Sequence, residues 1–139
     1  MNMTREQKQL VRDSFAQIQE IAGPIALLFY GKLFEMDPGA RKLFHNDLRL
    51  QGTKLMTTLG SLVDSLDRFE RMQGVLAELG RRHTEFGVKP QQYETLKVAL
   101  LWSLRQALGP SFDGETQAAW TVVIEAVNQV MIGSVPAAS

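Results

Sequence analysis

The chain has 139 residues, 45% of them hydrophobic, which is enough for one sizeable core and too few for two. Fifteen basic residues balance fifteen acidic ones, so no whole-molecule field draws the protein to nucleic acid or to an anionic membrane. The absence of cysteine excludes disulfides, thiolate zinc sites and a cysteine nucleophile, and leaves two histidines as the scarce soft ligands.

Helix-start and helix-stop signals divide the sequence into six or seven helical segments, and no stretch sustains the period-two alternation of a half-buried strand, so the expected fold is all-α. Thr4 and Gln7 have the form of a capping box, opening a first helix with Leu10, Val11, Phe15 and Ile18 on its inner stripe and an end near Gly23-Pro24. The second helix runs from about Pro24 with Leu27, Tyr30 and Phe34 on a shared face. Asp37-Pro38 then offers an N-cap and a first-turn proline for a short helix ending near Phe44. From Asp47 a further amphipathic helix aligns Gln51, Leu55, Leu59 and Leu62. A charged turn around Asp67 to Arg71 leads to a helix whose stripe is Val75, Leu79, His83 and Phe86, with Gly87 as a left-handed cap. Pro90 starts a long helix that Gly109-Pro110 stops, and Asp113 precedes the last one. The residues 133–139 read as a flexible tail, so the ordered core is expected over about 4–132. The polar N-terminus and the short apolar runs show neither a signal peptide nor a transmembrane segment, and the expected location is cytoplasmic.

Three polar residues stand on inward stripes of three different helices: Tyr30, Gln51 and His83. Each has an ordinary explanation, since a buried tyrosine commonly bonds a carbonyl, a stripe-end glutamine can turn to solvent, and an inward histidine is often satisfied by the core. Side-chain catalysis lacks its usual parts: no serine sits in a strand-to-helix elbow, no HExxH occurs, and no two histidines share a face for zinc. A buried imidazole facing two neutral donors does suit a cofactor metal held by one protein ligand, of which haem iron is the standard case.

In order and spacing, LLFYGKLFE, RKLF, QGTKLM, LGRRHTEFGV, Tyr93 and AAWTVVIEAV resemble the globin family, from about Thr4 to Met131. The likeness is specifically to bacterial single-domain haemoglobins related to the haem domain of flavohaemoglobins. It implies a globin fold of six to seven helices around haem b (iron protoporphyrin IX), in one domain over 1–139. The short link between Phe44 and Gln51 leaves the fourth short helix absent or reduced. By the same resemblance His83 is the proximal iron ligand, Phe44 wedges against the haem, and Tyr30 and Gln51 are the distal residues that stabilise a bound gas. Leu55, Leu79, Val88 and Tyr93 complete the pocket, and Lys54 and Arg82 stand where they could reach a haem propionate. His45 is expected near the pocket mouth rather than on the iron.

The implied function is reversible, high-affinity oxygen binding at a five-coordinate ferrous iron, for storage or transport, with carbon monoxide gaining less from the two donors. The alternatives are a nitric-oxide dioxygenase served by a separate reductase and, behind it, a gas sensor or a haem-free helical interaction module; no catalytic side chain is assigned. Partners are therefore small gases and a reductase, without nucleic acid or membrane, and the expected state is a monomer or weak homodimer. One departure from the family pattern concerns Tyr93. The glutamate that joins this tyrosine in flavohaemoglobins would fall at Val135, and the nearest acidic residue of the last helix, Glu125, lies more than two turns too early. That departure argues against peroxidase chemistry, which benefits from an imidazole made more anionic by a carboxylate.

Overall fold

The structure, a computed structural model, describes residues 2–44 and 47–133, so His45, Val135 and positions 134–139 of the expected tail lie outside it. The described residues form six α-helices and no strand: α1 (Arg5–Ile18), α2 (Ala22–Met36), α3 (Leu48–Asp64), α4 (Gln73–Glu85), α5 (Pro90–Leu108) and α6 (Gly114–Gly133). Short 3-10 segments occupy Gln19–Ile21, Pro38–Leu43, Leu66–Met72 and Gly109–Ser111. α3 follows the Pro38–Leu43 segment after only a short link, in keeping with a missing fourth helix.

Local chemistry accounts for the boundaries. Gln7 N–H donates to Thr4 Oγ1 at 3.1 Å and Thr4 N–H to Gln7 Oε1 at 3.0 Å, which completes the expected capping box. Asp47 caps α3 by accepting from Arg49 N–H at 2.9 Å, and Asp113 Oδ1 accepts from Thr116 N–H at 2.8 Å at the head of α6. Gly87 and Gly109 end α4 and α5 with φ of 96° and 55°, conformations in which a Cβ would be strained. The first junction differs from expectation. α1 stops at Ile18 and α2 already begins at Ala22, so Gly23 and Pro24 fall in the first turn of α2, where the missing proline N–H has no helical partner to lose. The segment 66–72 is a 3-10 helix rather than a bare charged turn. Phe69 is buried there, and Asp67 accepts from Lys8 and Arg12 of α1 at 3.1 and 2.8 Å.

Side chains from all six helices join one apolar cluster, with Trp120 of α6 fully buried in it. α2 packs on α3 and α5, while α6 packs on α1, α4 and α5. Two expected stripes are rotated from their predicted positions. On α2 the buried arc is Ile25, Ala26, Phe29, Tyr30 and Leu33, so Tyr30 stands at its edge, Phe34 is half-buried, and Leu27 is 51% exposed. On α4 the buried residues are Leu76 and Gly80; Leu79 and His83 are half-buried at the edge, and Val75 and Phe86 are 53% and 69% exposed. Spacing of i, i+4 fixes which residues share a side of a helix, but the neighbour decides which side is inward.

Candidate functional site

His83 and Phe44 line one cavity with residues of α2 and α5, and Tyr30 of α2 packs against Phe44 and beside α3. α2 and α3 cross at Ala26 and Gly52, so closely that a Cβ built on Gly52 would stand 2.7 Å from the Ala26 Cβ and 3.8 Å from the Tyr30 ring. This approach sets the Tyr30 ring beside the first turns of α3, where Gln51 is half-buried. Tyr30 is held by aromatic packing: its ring centroid lies 5.1 Å from Phe29, 6.2 Å from Phe34 and 5.2 Å from Phe44. Burial pushes the pKa of its hydroxyl up to about 12, so the group is a proton donor at any ordinary pH. Neither the Tyr30 hydroxyl nor the Gln51 side chain makes a hydrogen bond among the described residues.

On α4, His83 Nδ1 lies 2.7 Å from the carbonyl oxygen of Leu79. A carbonyl only accepts, so Nδ1 carries the proton, and in the neutral ring Nε2 keeps its lone pair. The imidazole lines a cavity of about 50 Å³ together with Phe44, Val88, Leu33, Leu43 and Leu96. Tyr93 of α5 packs near it, ring centroid to ring centroid 6.4 Å. Its hydroxyl is buried without a partner among the described residues, and its pKa is raised by that burial. Glu125 is engaged with Lys97 at 3.1 Å, and the residue of α6 that reaches Tyr93 is Asn128, which donates to its backbone carbonyl at 3.2 Å.

Leu55, Leu79 and Val88 are partly buried against the core, and of the three Val88 lines the His83 cavity. The two basic residues are not part of the enclosed space. Lys54 is exposed and carries no ion pair among the described residues, and Arg82 is exposed with its Nε 3.4 Å from Glu78 of its own helix. Sequence reasoning missed Asp37 and Gln92, which also line the His83 cavity and bond one another at 3.1 Å. Gln92 carried a readable signal, since it occupies the third position of a proline-started helix, but its distant partner left none. Asp37, expected as an N-cap, makes no capping bond with its side chain.

These groups suit a haem in kind: one imidazole whose Nε2 makes no hydrogen bond among the described residues, apolar side chains around it, and buried or half-buried donors that no described residue pairs. Among the described residues no three His, Cys, Asp or Glu side chains gather as a metal site, and His83 is the histidine those residues contain. The cavity of about 50 Å³ beside it is smaller than a porphyrin.

A globin family model matches residues 27–131. The chain belongs to the globin family. This membership implies haem as the cofactor and a small gas as the ligand. Among curated relatives, the neuroglobin of Tetraodon nigroviridis is 27% identical over 85% of this chain and 83% of its own length. The neuroglobin of Danio rerio is 26% identical over 93% and 90%. Among solved structures, a bacterial globin from Campylobacter jejuni superposes with a TM-score of 0.82 at 22% identity, covering 94% of this chain and 95% of its own. An engineered carbene transferase, from a Rhodothermus marinus protein named as a candidate nitric oxide dioxygenase, gives 0.85 at 23%, covering 95% and 92%. At these identities the two structures speak for this globin's fold.

Proposed function

We propose that this globin binds dioxygen reversibly and with high affinity, using haem b held by His83 as its single protein ligand, with Tyr30 and Gln51 as donors to the gas. The observation that carries the reading is the commitment of His83 Nδ1 to the Leu79 carbonyl at 2.7 Å, which reserves Nε2 as a Lewis base beside an apolar cavity. When bound, the haem supplies an iron with one open position for a diatomic gas. The protein's own residues decide which gas is favoured. The Tyr30 hydroxyl stays protonated and, with the Gln51 amide, offers hydrogen bonds to a ligand that draws electron density outward, as dioxygen does more than carbon monoxide. Two such bonds at about 1 to 1.5 kcal/mol each slow oxygen release on the order of a hundredfold relative to an apolar pocket. Phe44, Leu55, Leu79 and Val88 contribute apolar contact and exclude water, and Tyr93 backs the imidazole. Lys54 and Arg82 are assigned to the propionate rim, each worth about 0 to 1 kcal/mol as exposed pairs.

The fold is read as one globin domain over 1–139, a monomer or weak homodimer in the cytoplasm. Among the described residues no helix is long and apolar enough to cross a membrane. A second reading, nitric-oxide dioxygenation with a separate reductase, is favoured by the likeness to the Rhodothermus marinus protein. Nitric oxide and dioxygen combine to nitrate, and a reductase must return the electron consumed in each cycle. Stopped-flow mixing of the oxygenated protein with nitric oxide, with and without a reductase, separates the two: sustained turnover marks the enzyme, a single stoichiometric oxidation the binding protein.

The binding reading is tested by absorption spectra of reconstituted protein in oxidised, dithionite-reduced and carbon monoxide forms. Coloured protein with one axial imidazole is expected; His83→Ala should weaken haem retention more than about a hundredfold, beyond the effect of an outer-shell change. Tyr30→Phe should speed oxygen release roughly tenfold. Colourless protein after reconstitution would overturn the proposal, and an unchanged release rate in the tyrosine variant would remove the role of Tyr30.

A further inference from the structure

The Gln92 side chain uses both ends of its amide, and only one of them serves the helix that carries it. Its Oε1 accepts from Lys89 N–H at 2.8 Å, the reciprocal half of a capping box at the start of α5. Its Nε2 donates to Asp37 Oδ2 at 3.1 Å, across 55 positions of sequence, to the residue that ends α2. Asp37 is half-buried at the cavity wall, and this charge-assisted bond satisfies its carboxylate from a different helix while adding nothing to the start of α5, which the Oε1 bond already serves. What the bond does is join α2 to the turn behind His83. Residues 88 and 89 are gripped from two sides, because Lys89 N–H goes to Gln92 while Val88 N–H donates to the carbonyl of His83 at 2.9 Å. The His83 ring is then fixed through Nδ1 to Leu79. Asp37, Gln92, Val88 and His83 all line the same small cavity.

We propose that Gln92 is a positioning residue: through Asp37 it couples α2, the helix that carries Tyr30, to the backbone behind His83, and so fixes the orientation of the imidazole. The inference rests on the reading of His83 as the iron ligand. It makes the two faces of the pocket dependent on one helix, so a shift of α2 reaches the imidazole through one amide as well as through packing.

Gln92→Glu tests it, because the carboxylate still accepts from Lys89 N–H but opposes Asp37. Adding Asp37→Asn reverses donor and acceptor and restores the bond. Two measurements on the whole protein read the result: hydrogen exchange at the Val88 amide, and the iron–histidine stretching frequency of the reduced, haem-loaded protein. In Gln92→Glu we expect exchange at Val88 to accelerate about tenfold and the stretching frequency to shift, with both returning toward the parent values in the double variant. Failure of the double variant to restore them overturns the proposal, as does an unmoved stretching frequency with altered exchange, which reduces Gln92 to a helix-start residue. If the parent protein takes up no haem, the reading of His83 itself fails, a result distinct from a broken coupling in haem-loaded protein.

Discussion

The two ends of the core treat their polar groups differently. Where α1 meets α6, the buried Trp120 Nε1–H donates to Ser14 Oγ at 2.8 Å, and that hydroxyl lies 2.6 Å from the carbonyl of Leu10, its acceptor. Ser103, fully buried on α5, donates to the carbonyl of Ala99 at 2.8 Å. Where α2, α3, α4 and α5 converge, the Tyr93 hydroxyl is buried without a partner, and the Tyr30 hydroxyl, the Gln51 amide and His83 Nε2 make no hydrogen bond among the described residues. Of these only the Tyr93 hydroxyl is a fully buried atom, for which an unmade bond costs the full desolvation, while the half-buried Gln51 and His83 side chains keep access to water. The α1–α6 end is closed by bonds between its own groups, whereas the other end holds polar groups that no described residue pairs.

The contrast predicts opposite responses to deletion. Trp120→Ala should cost about 3 to 5 kcal/mol in urea unfolding, since it empties a fully buried site and strips Ser14 of its donor. A loss below about 1 kcal/mol would mean that this end is not the structural anchor. Gly52→Ala should cost about 1 to 3 kcal/mol, because the new methyl meets the Ala26 Cβ rather than a flexible chain end, and it should disturb Tyr30 and Gln51 together. Gly31→Ala, also in a helix but with nothing within 4 Å, should instead gain about 0.5 to 1 kcal/mol. Equal effects at the two glycines would show that helix propensity, and not the crossing, governs both.

At the pocket end, Tyr93→Phe should stabilise the haem-free protein by about 1 kcal/mol by removing a buried hydroxyl that no described residue pairs, the reverse of Ser14→Ala. Destabilisation would mean that the hydroxyl has a partner in solution. The smallest effect concerns alkaline pH. Both tyrosines of the chain have raised values, Tyr30 to about 12, against an ordinary 10.0. The unfolded chain therefore loses these protons first, and the stability present below pH 10 declines as pH rises toward 12. An ultraviolet titration should show little tyrosinate at pH 10 in folded protein and about half in urea; identical curves would contradict the burial of both rings.

Much of this was legible in the sequence because it is local. Thr4 with Gln7, Asp47, Pro90, Gly87, Gly109 and Asp113 mark helix ends through bonds and backbone angles that involve only near neighbours, and they fell where expected. Tyr30, Gln51 and His83 stood out as polar residues on apolar stripes, and Phe44 only through the family resemblance. Other features depended on which surface packs against which. Leu27, Val75 and Phe86 share sides with inward residues but turned outward, because the contacts of α2 with α3 and α5, and of α4 with α6, set the rotation of each helix. The Gly52–Ala26 approach and the bond between Asp37 and Gln92 are likewise tertiary, joining positions 26 and 55 residues apart. Sequence periodicity carries the phase of a helix only to within a residue or so, and a distance between helices leaves no trace in either one alone.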